Sequence, residues 1–296
     1  PLVLGKLNES YILASETCAL DIIGAKFIRE IKNGEVVVIT KDGLESYMPF
    51  PKKPERPCIF EYIYFARPDS IVGGKSIYEC RKVFGRELAK ESHIDADMVI
   101  PVPDSGVPSA IGYAEQAGIP FELGITRNHY VGRTFIQPKQ SIRSFSVRLK
   151  HNANRTLVAG KKIVLIDDSI VRGTTSLKIV RMMRDAGAKE IHFRVSSPPI
   201  THSDFYGIDT PSRDQLLASE KNVAEMCEYL GADSLAFLSI EGIYRALGHK
   251  NGRNADCPQY TDHCFTGDYP TGLEDEAGGE LNSQLSFLSI SESQDQ

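Results

Sequence analysis

From residue 76 onward the chain alternates amphipathic stretches with short, wholly apolar runs, and this pattern restricts the fold more than any other feature of the 296 residues. Ile77, Cys80, Phe84 and Leu88 recur at helical spacing across residues 76–91, and Asp97-Met-Val-Ile-Pro-Val102 then reads as a buried strand. The pattern goes on to predict a helix over 107–117 and strands over 121–125 and 162–166. A helix over 174–186, closed by Gly187, and a strand over 190–196 follow. Strands alternating with helices assemble into a parallel sheet with helices on its faces. Such sheets bind ligands beyond the carboxyl ends of their strands, so the loops after Val102, Ile166 and Ser196 carry the first functional expectations.

Residues 1–50 obey a different rule. Short β-like runs, Ser10–Ala14, Lys26–Ile31 and Glu35–Thr40, are separated by turn residues such as Asn33-Gly34 and Asp42-Gly43. They predict a meander without helices, too small to bury a core alone, whose strands complete a sheet begun elsewhere. The charged, proline-rich Pro51–Pro57 reads as a boundary. The expected organisation is therefore a fragment at 1–50, a main domain at 51–265 and an acidic, disordered tail at 266–296. Opening on Pro1 within an apolar run, the chain reads as a piece of a longer polypeptide.

Lys and Arg number 34 against 39 Asp and Glu, a net charge of −5, which argues against a polycation gripping nucleic acid through bulk charge. The total hides a segregation: residues 266–296 hold seven acids and no Lys or Arg, whereas 127–166 hold nine Lys or Arg and no acid. With no apolar run of membrane-spanning length and no leader, a cytoplasmic protein without a membrane partner is expected. The six cysteines form no C-x-x-C pair and read as reduced thiols, with Cys18, Cys80 and Cys227 in the core; the histidines show no zinc spacing.

The chemistry concentrates where the strand Ile163-Val-Leu-Ile166 runs into Asp167-Asp168 and, through Ser169 to Arg172, into Gly173-Thr174-Thr175-Ser176. Gly173 permits close backbone approach, and the free N–H groups of a helix start, with three hydroxyls, make a phosphate cradle. Two adjacent carboxylates repel and require a hard cation or a polyhydroxyl partner. Phosphate at one end and diol or Mg²⁺ at the other describe a ribose 5-phosphate. The competing reading is an ordinary helix cap from Asp168 or Ser169. Pro103-Asp104-Ser105-Gly106 is a second candidate anion loop, again with a cap as the alternative. The cationic connection over 127–155 reads by composition equally as a nucleic-acid contact or a lid; the neighbouring phosphate motif favours a lid over a diphosphate, with Arg133 and Lys150 as its catalytic contacts.

Val164-Leu-Ile-Asp-Asp-Ser-Ile-Val-Arg-Gly-Thr-Thr-Ser176 resembles the phosphoribosylpyrophosphate (PRPP) motif of type I phosphoribosyltransferases. Glu61-Tyr-Ile-Tyr-Phe-Ala-Arg-Pro-Asp-Ser70, Val102-Pro-Asp-Ser105, Tyr130-Val-Gly-Arg-Thr-Phe-Ile136 and Tyr206-Gly-Ile-Asp209 resemble the glutamine PRPP amidotransferase family, up to about Pro270. The resemblance implies an α/β type I phosphoribosyltransferase fold, a parallel sheet flanked by helices, preceded by the last strands of an Ntn-hydrolase glutaminase domain. It implies a homo-oligomer inhibited by purine nucleotides that makes 5-phosphoribosylamine and pyrophosphate from PRPP and glutamine-derived ammonia. Asp167 and Asp168 would hold the ribose hydroxyls or Mg²⁺, Gly173 to Ser176 the 5-phosphate, and Asp104 and Ser105 the pyrophosphate, with Ser105 also near the metal. The cationic loop would fold over PRPP and help form an ammonia passage.

Two departures carry expectations. Pro1 has no thiol and Cys18 lacks an adjacent α-amine, so this chain is expected not to hydrolyse glutamine without the missing N-terminal glutaminase segment. Some family members ligate a 4Fe–4S cluster through four cysteines. Cys58 and Cys264 match those positions, but Asp204 and Thr261 occupy the other two and Cys257 is out of spacing, so no cluster is expected. The rival readings are a PRPP-binding regulator without catalysis and a phosphoribosyltransferase acting on a nucleobase.

Overall fold

The computed structural model describes residues 1–128 and 151–271. At the amino end, β1 (Val3–Leu7) pairs antiparallel with β2 (Ser10–Ala14) and β3 (Lys26–Glu30), giving the order β2-β1-β3. Between β2 and β3 lies α1 (Thr17–Ile23), which corrects the expected helix-free meander. Seven residues make too few turns to declare a period, yet the helix buries Cys18 and Leu20 and is stopped by Gly24 in the left-handed region at φ 71°. Its core is small, built on Val3, Leu20 and Ala25, while Leu13, Ile22, Phe27 and Ile28 stay exposed. A hairpin of β4 (Val36–Thr40) and β5 (Gly43–Tyr47) follows.

The remaining chain begins with a π-helix, Glu61–Phe65, and a small hairpin, β6 (Ile71–Val72) with β7 (Lys75–Ser76). α2 (Ile77–Ser92) starts at Ser76, whose hydroxyl accepts from the Glu79 N–H. Next come β8 (Met98–Pro101), α3 (Val107–Ala117), β9 (Ile125–Arg127), β10 (His151–Ala153) and α4 (Arg155–Val158). β11 (Lys162–Asp167), α5 (Thr174–Asp185), β12 (Glu190–Val195), α6 (Leu217–Glu220) and α7 (Val223–Leu230) follow. β13 (Ser234–Phe237), α8 (Ile240–Ala246) and α9 (His263–Thr266) end the described elements.

β13, β12, β11 and β8 form, in that order, a four-stranded parallel sheet with Leu165 opposite both Phe193 and Ile100. β8, β11 and β12 are buried on both faces, as crossover helices require, and β13 is half-buried. Val99, Val164 and Ile166 pack with α2, α3 and α8, and the alternate residues Ile100, Ile163 and Leu165 pack with α5 and α7. α2 and α3 meet backbone to backbone: a Cβ at Gly85 would strike the Ser109 carbonyl, and one at Gly112 the Lys82 carbonyl.

The expected strand over 121–125 reduces to one parallel bridge between Phe121 and Val99. Gly124 then rests against the Ile100 side chain, and the chain turns away to pair β9 antiparallel with β10. Asp268 ion-pairs with Arg253 and Arg56, and the Thr271 hydroxyl bonds Tyr206. No described helix is long and apolar enough to cross a membrane.

Candidate active site

A cavity of about 560 Å³ opens at the carboxyl ends of β8 and β11, where the parallel-sheet rule places it. β11 delivers Asp167 and Asp168 to its floor, 7% and 5% exposed. Asp167 Oδ1 accepts the Asp168 N–H at 2.9 Å, and Asp168 Oδ1 accepts the Ser169 hydroxyl at 2.5 Å. Burial, reinforced by the Asp168 charge, pushes the Asp167 carboxyl well above the usual range. Burial also raises Asp168, against hydrogen bonds from Ser105 and Ser169 and the nearby Arg81 guanidinium. Hydroxyls to bond or a cation to share would relieve this strained pair.

The start of α5 lines the same cavity. Gly173 stands at the N-cap with φ 71°, and no side chain caps the helix. The cap reading for Asp168 and Ser169 is therefore set aside: the first amides of α5 are left for a ligand. Thr174, Thr175 and Ser176 all line the cavity. A Cβ at Gly173 would press hardest on the movable end of the Leu217 side chain, so it is the positive φ that asks for glycine here. Gly173→Ala is expected to cost roughly 1–2 kcal/mol from the backbone alone. It should also weaken binding of a phosphate ester by at least tenfold, measured by calorimetry beside a thermal melt.

Ser105 and Pro103 reach the cavity wall, but Asp104 does not line it; its carboxylate is exposed and ion-paired with Arg127. Arg133 and Lys150 lie outside the described residues. Missed from the sequence are an aromatic wall, Phe60, Tyr64 and Phe65, and the segment Asp209–Pro211, which lines the same cavity. The only signal for the wall was its place in the Glu61–Ser70 string.

Cys58, Asp204, Thr261 and Cys264 come together beside the cavity. Cys58 forms a parallel bridge with Thr261, and the Cys264 thiol feels the charges of Cys58 and Asp204. Burial raises the Cys58 thiol to about 11 and pushes Cys264 well above its ordinary value, so neither favours the thiolate. Asp204 Oδ2 instead pairs with His263 Nε2 at 2.9 Å, both side chains nearly fully buried. Among the described residues, no group of three or more His, Cys, Asp or Glu is arranged to hold a metal ion. Cys257 is exposed, whereas Cys18 and Cys80 are buried and Cys227 half-buried.

A parallel sheet carrying an acidic pair and an uncapped glycine-led helix at one cavity is the architecture of a phosphoribosyltransferase, and residues 76–197 match the phosphoribosyl transferase domain. Over 294 residues the chain is 60% identical to amidophosphoribosyltransferase of Rhizobium etli, covering 97% of this chain and 59% of that protein. It is 53% identical over 271 residues to chloroplastic amidophosphoribosyltransferase 1 of Arabidopsis thaliana, covering 91% of this chain and 47% of the relative. Among solved structures it superimposes on glutamine PRPP amidotransferase of Bacillus subtilis, complexed with ADP and GMP, with a TM-score of 0.84 at 49% identity. That match covers 92% of this chain and 60% of the other. The chain belongs to the amidophosphoribosyltransferase family, and spans less than two thirds of the length of these relatives.

Proposed function

We propose that this chain supplies the phosphoribosyl-transfer half of an amidophosphoribosyltransferase: ammonia released from glutamine attacks C1 of PRPP, the C1–oxygen bond to pyrophosphate breaks, and 5-phosphoribosylamine forms with loss of a proton. The carrying observation is that Asp167-Asp168 and the uncapped start of α5 line one and the same cavity. The amides and hydroxyls of Gly173 to Ser176 take the 5-phosphate, and the acidic pair takes the ribose 2- and 3-hydroxyls. Ser105, which lines the same cavity, faces the diphosphate. Bound Mg²⁺ would neutralise the leaving pyrophosphate. The residues present fit it: two buried carboxylates and a hydroxyl are hard oxygen donors, and Mg²⁺ is held by one or two carboxylates plus substrate phosphates rather than by an all-protein cage. In this half the chain's residues bind and orient rather than attack. Arg133 and Lys150 would supply positive charge to the departing diphosphate.

The glutaminase activity belongs to the amino-terminal portion of the whole protein, with residues 1–50 as its closing strands, 51–265 as the phosphoribosyltransferase domain and 266–296 as an acidic tail. The whole protein is cytoplasmic and a homo-oligomer. The test is pyrophosphate release from PRPP with saturating ammonium, with and without Mg²⁺, by the intact polypeptide that carries this chain. Metal-dependent turnover is expected. PRPP binding without turnover would favour a regulator, and turnover only with a nucleobase would replace the acceptor.

A further inference from the structure

The π-helix at Glu61–Phe65 ends in an unusual way. Its ladder is set by the Ala66 N–H on the Glu61 carbonyl at 3.2 Å. Continuing it would put the Arg67 N–H on the Tyr62 carbonyl. Instead the Arg67 N–H donates to Glu16 Oε2 at 2.8 Å. The Tyr62 carbonyl accepts Arg81 Nε at 3.0 Å, and Arg81 Nη2 donates to the Ala66 carbonyl at 2.7 Å. Arg81 is 3% exposed. A buried guanidinium whose hydrogen bonds go to carbonyls is costly to place, so the position asks for a reason beyond packing.

The reason lies in what this turn presents. Tyr64 and Phe65 are 51% and 52% exposed and line the cavity. No surrounding core fixes their aim, so the backbone beneath must do so. π-turns recur at functional sites because the wider turn re-aims side chains. Arg81 projects from α2, whose contact with α3 is tied at the same residue by the Ser109 hydroxyl on the Arg81 carbonyl at 3.1 Å.

We propose that Arg81 is a positioning residue for the transfer site: by holding the Tyr62 and Ala66 carbonyls it fixes the wide turn that turns Tyr64 and Phe65 onto the bound phosphoribosyl diphosphate. This rests on the PRPP reading above. The planar fork reaches two carbonyls four residues apart, which a lysine ammonium on a single point does not.

The test uses Arg81→Lys and Arg81→Met in the intact polypeptide. Amide hydrogen exchange across 61–66 should accelerate about tenfold or more in both, with α2 protection retained. The KM for PRPP should rise about tenfold with kcat at saturating ammonium lowered less than threefold, and Lys should do no better than Met. Full rescue by Lys would mean that charge alone matters and would overturn the proposal, as would unchanged exchange at 61–66. Should the Arg81 variants fail to fold, Tyr64→Leu with Phe65→Leu, both at exposed sites, should reproduce the KM rise; an unchanged KM in that folded double variant overturns the proposal. Exchange is read without substrate, so a wild-type protein that does not bind PRPP removes the functional reading while the local exchange result still judges Arg81.

Discussion

Asp168→Asn is expected to lower kcat/KM for PRPP by on the order of 10²–10³-fold, the scale on which a single preorganised group at developing charge acts, while leaving the unliganded protein more stable. The two effects have opposite signs because the same feature produces both. Asp167 is raised by burial and then by the Asp168 charge, so an uncharged isostere at 168 removes a repulsion that the free protein otherwise tolerates. Each ~1 kcal/mol gained should lift the melting midpoint by about 2–4 °C in a chain of this size. Steady-state kinetics and a thermal melt on one preparation check both. Wild-type kinetics would remove the acidic pair from the site, and lost activity with a lowered melt would make Asp168 a structural residue.

Asp204→Ala should be the most destabilising of the substitutions considered, by on the order of 3 kcal/mol, because it takes the acceptor away from several donors at once. His263 is 1% exposed, with Tyr206 and Tyr269 rings at 5.1 and 4.8 Å. The same carboxylate accepts the Tyr206 and Ile208 amides at 2.8 and 2.9 Å, so alanine leaves these unpaired too. Burial would raise Asp204, but hydrogen bonds from His263 and these amides outweigh it and hold the carboxyl below its ordinary range. Its contribution is therefore full above the unfolded carboxylate range, near pH 4, and is lost as pH falls through the lower folded value. Asp204→Asn keeps an acceptor for the amides, so it should cost less and abolish that acid limb; an unchanged pH profile would show the pair to be idle. Iron and acid-labile sulfide in the intact polypeptide should be absent, since two thiols among four positions cannot complete a thiolate set.

The parallel sheet was legible because its members are contiguous and periodic. The helix predicted over 107–117 is observed as Val107–Ala117, and the strand and helix flanking Asp167 fall within a residue of expectation. α7, β13 and α8 gave no such signal: eight residues, four half-buried residues and seven residues carry too little period to stand out. The acidic pair and the phosphate-cradle residues were readable for a similar reason, lying in one string from Asp167 to Ser176. Arg81 with Tyr62, and Asp204 with His263, were not, because each pair exists only after the chain has folded back on itself. Cys58, Asp204, Thr261 and Cys264 were legible in advance as a set of four positions, but the pairing of Asp204 with His263 had to be seen in space.

The glycine contact between α2 and α3 has a consequence for how this protein can change over generations. Neither Gly85 nor Gly112 can accept even a methyl group without striking backbone of the facing helix. The helix that carries Arg81 and the helix that follows the Ser105 loop are thus a single inherited block, closed to gradual adjustment. Divergence in substrate handling is therefore expected in segments that border the cavity without belonging to either helix, such as Asp209–Pro211.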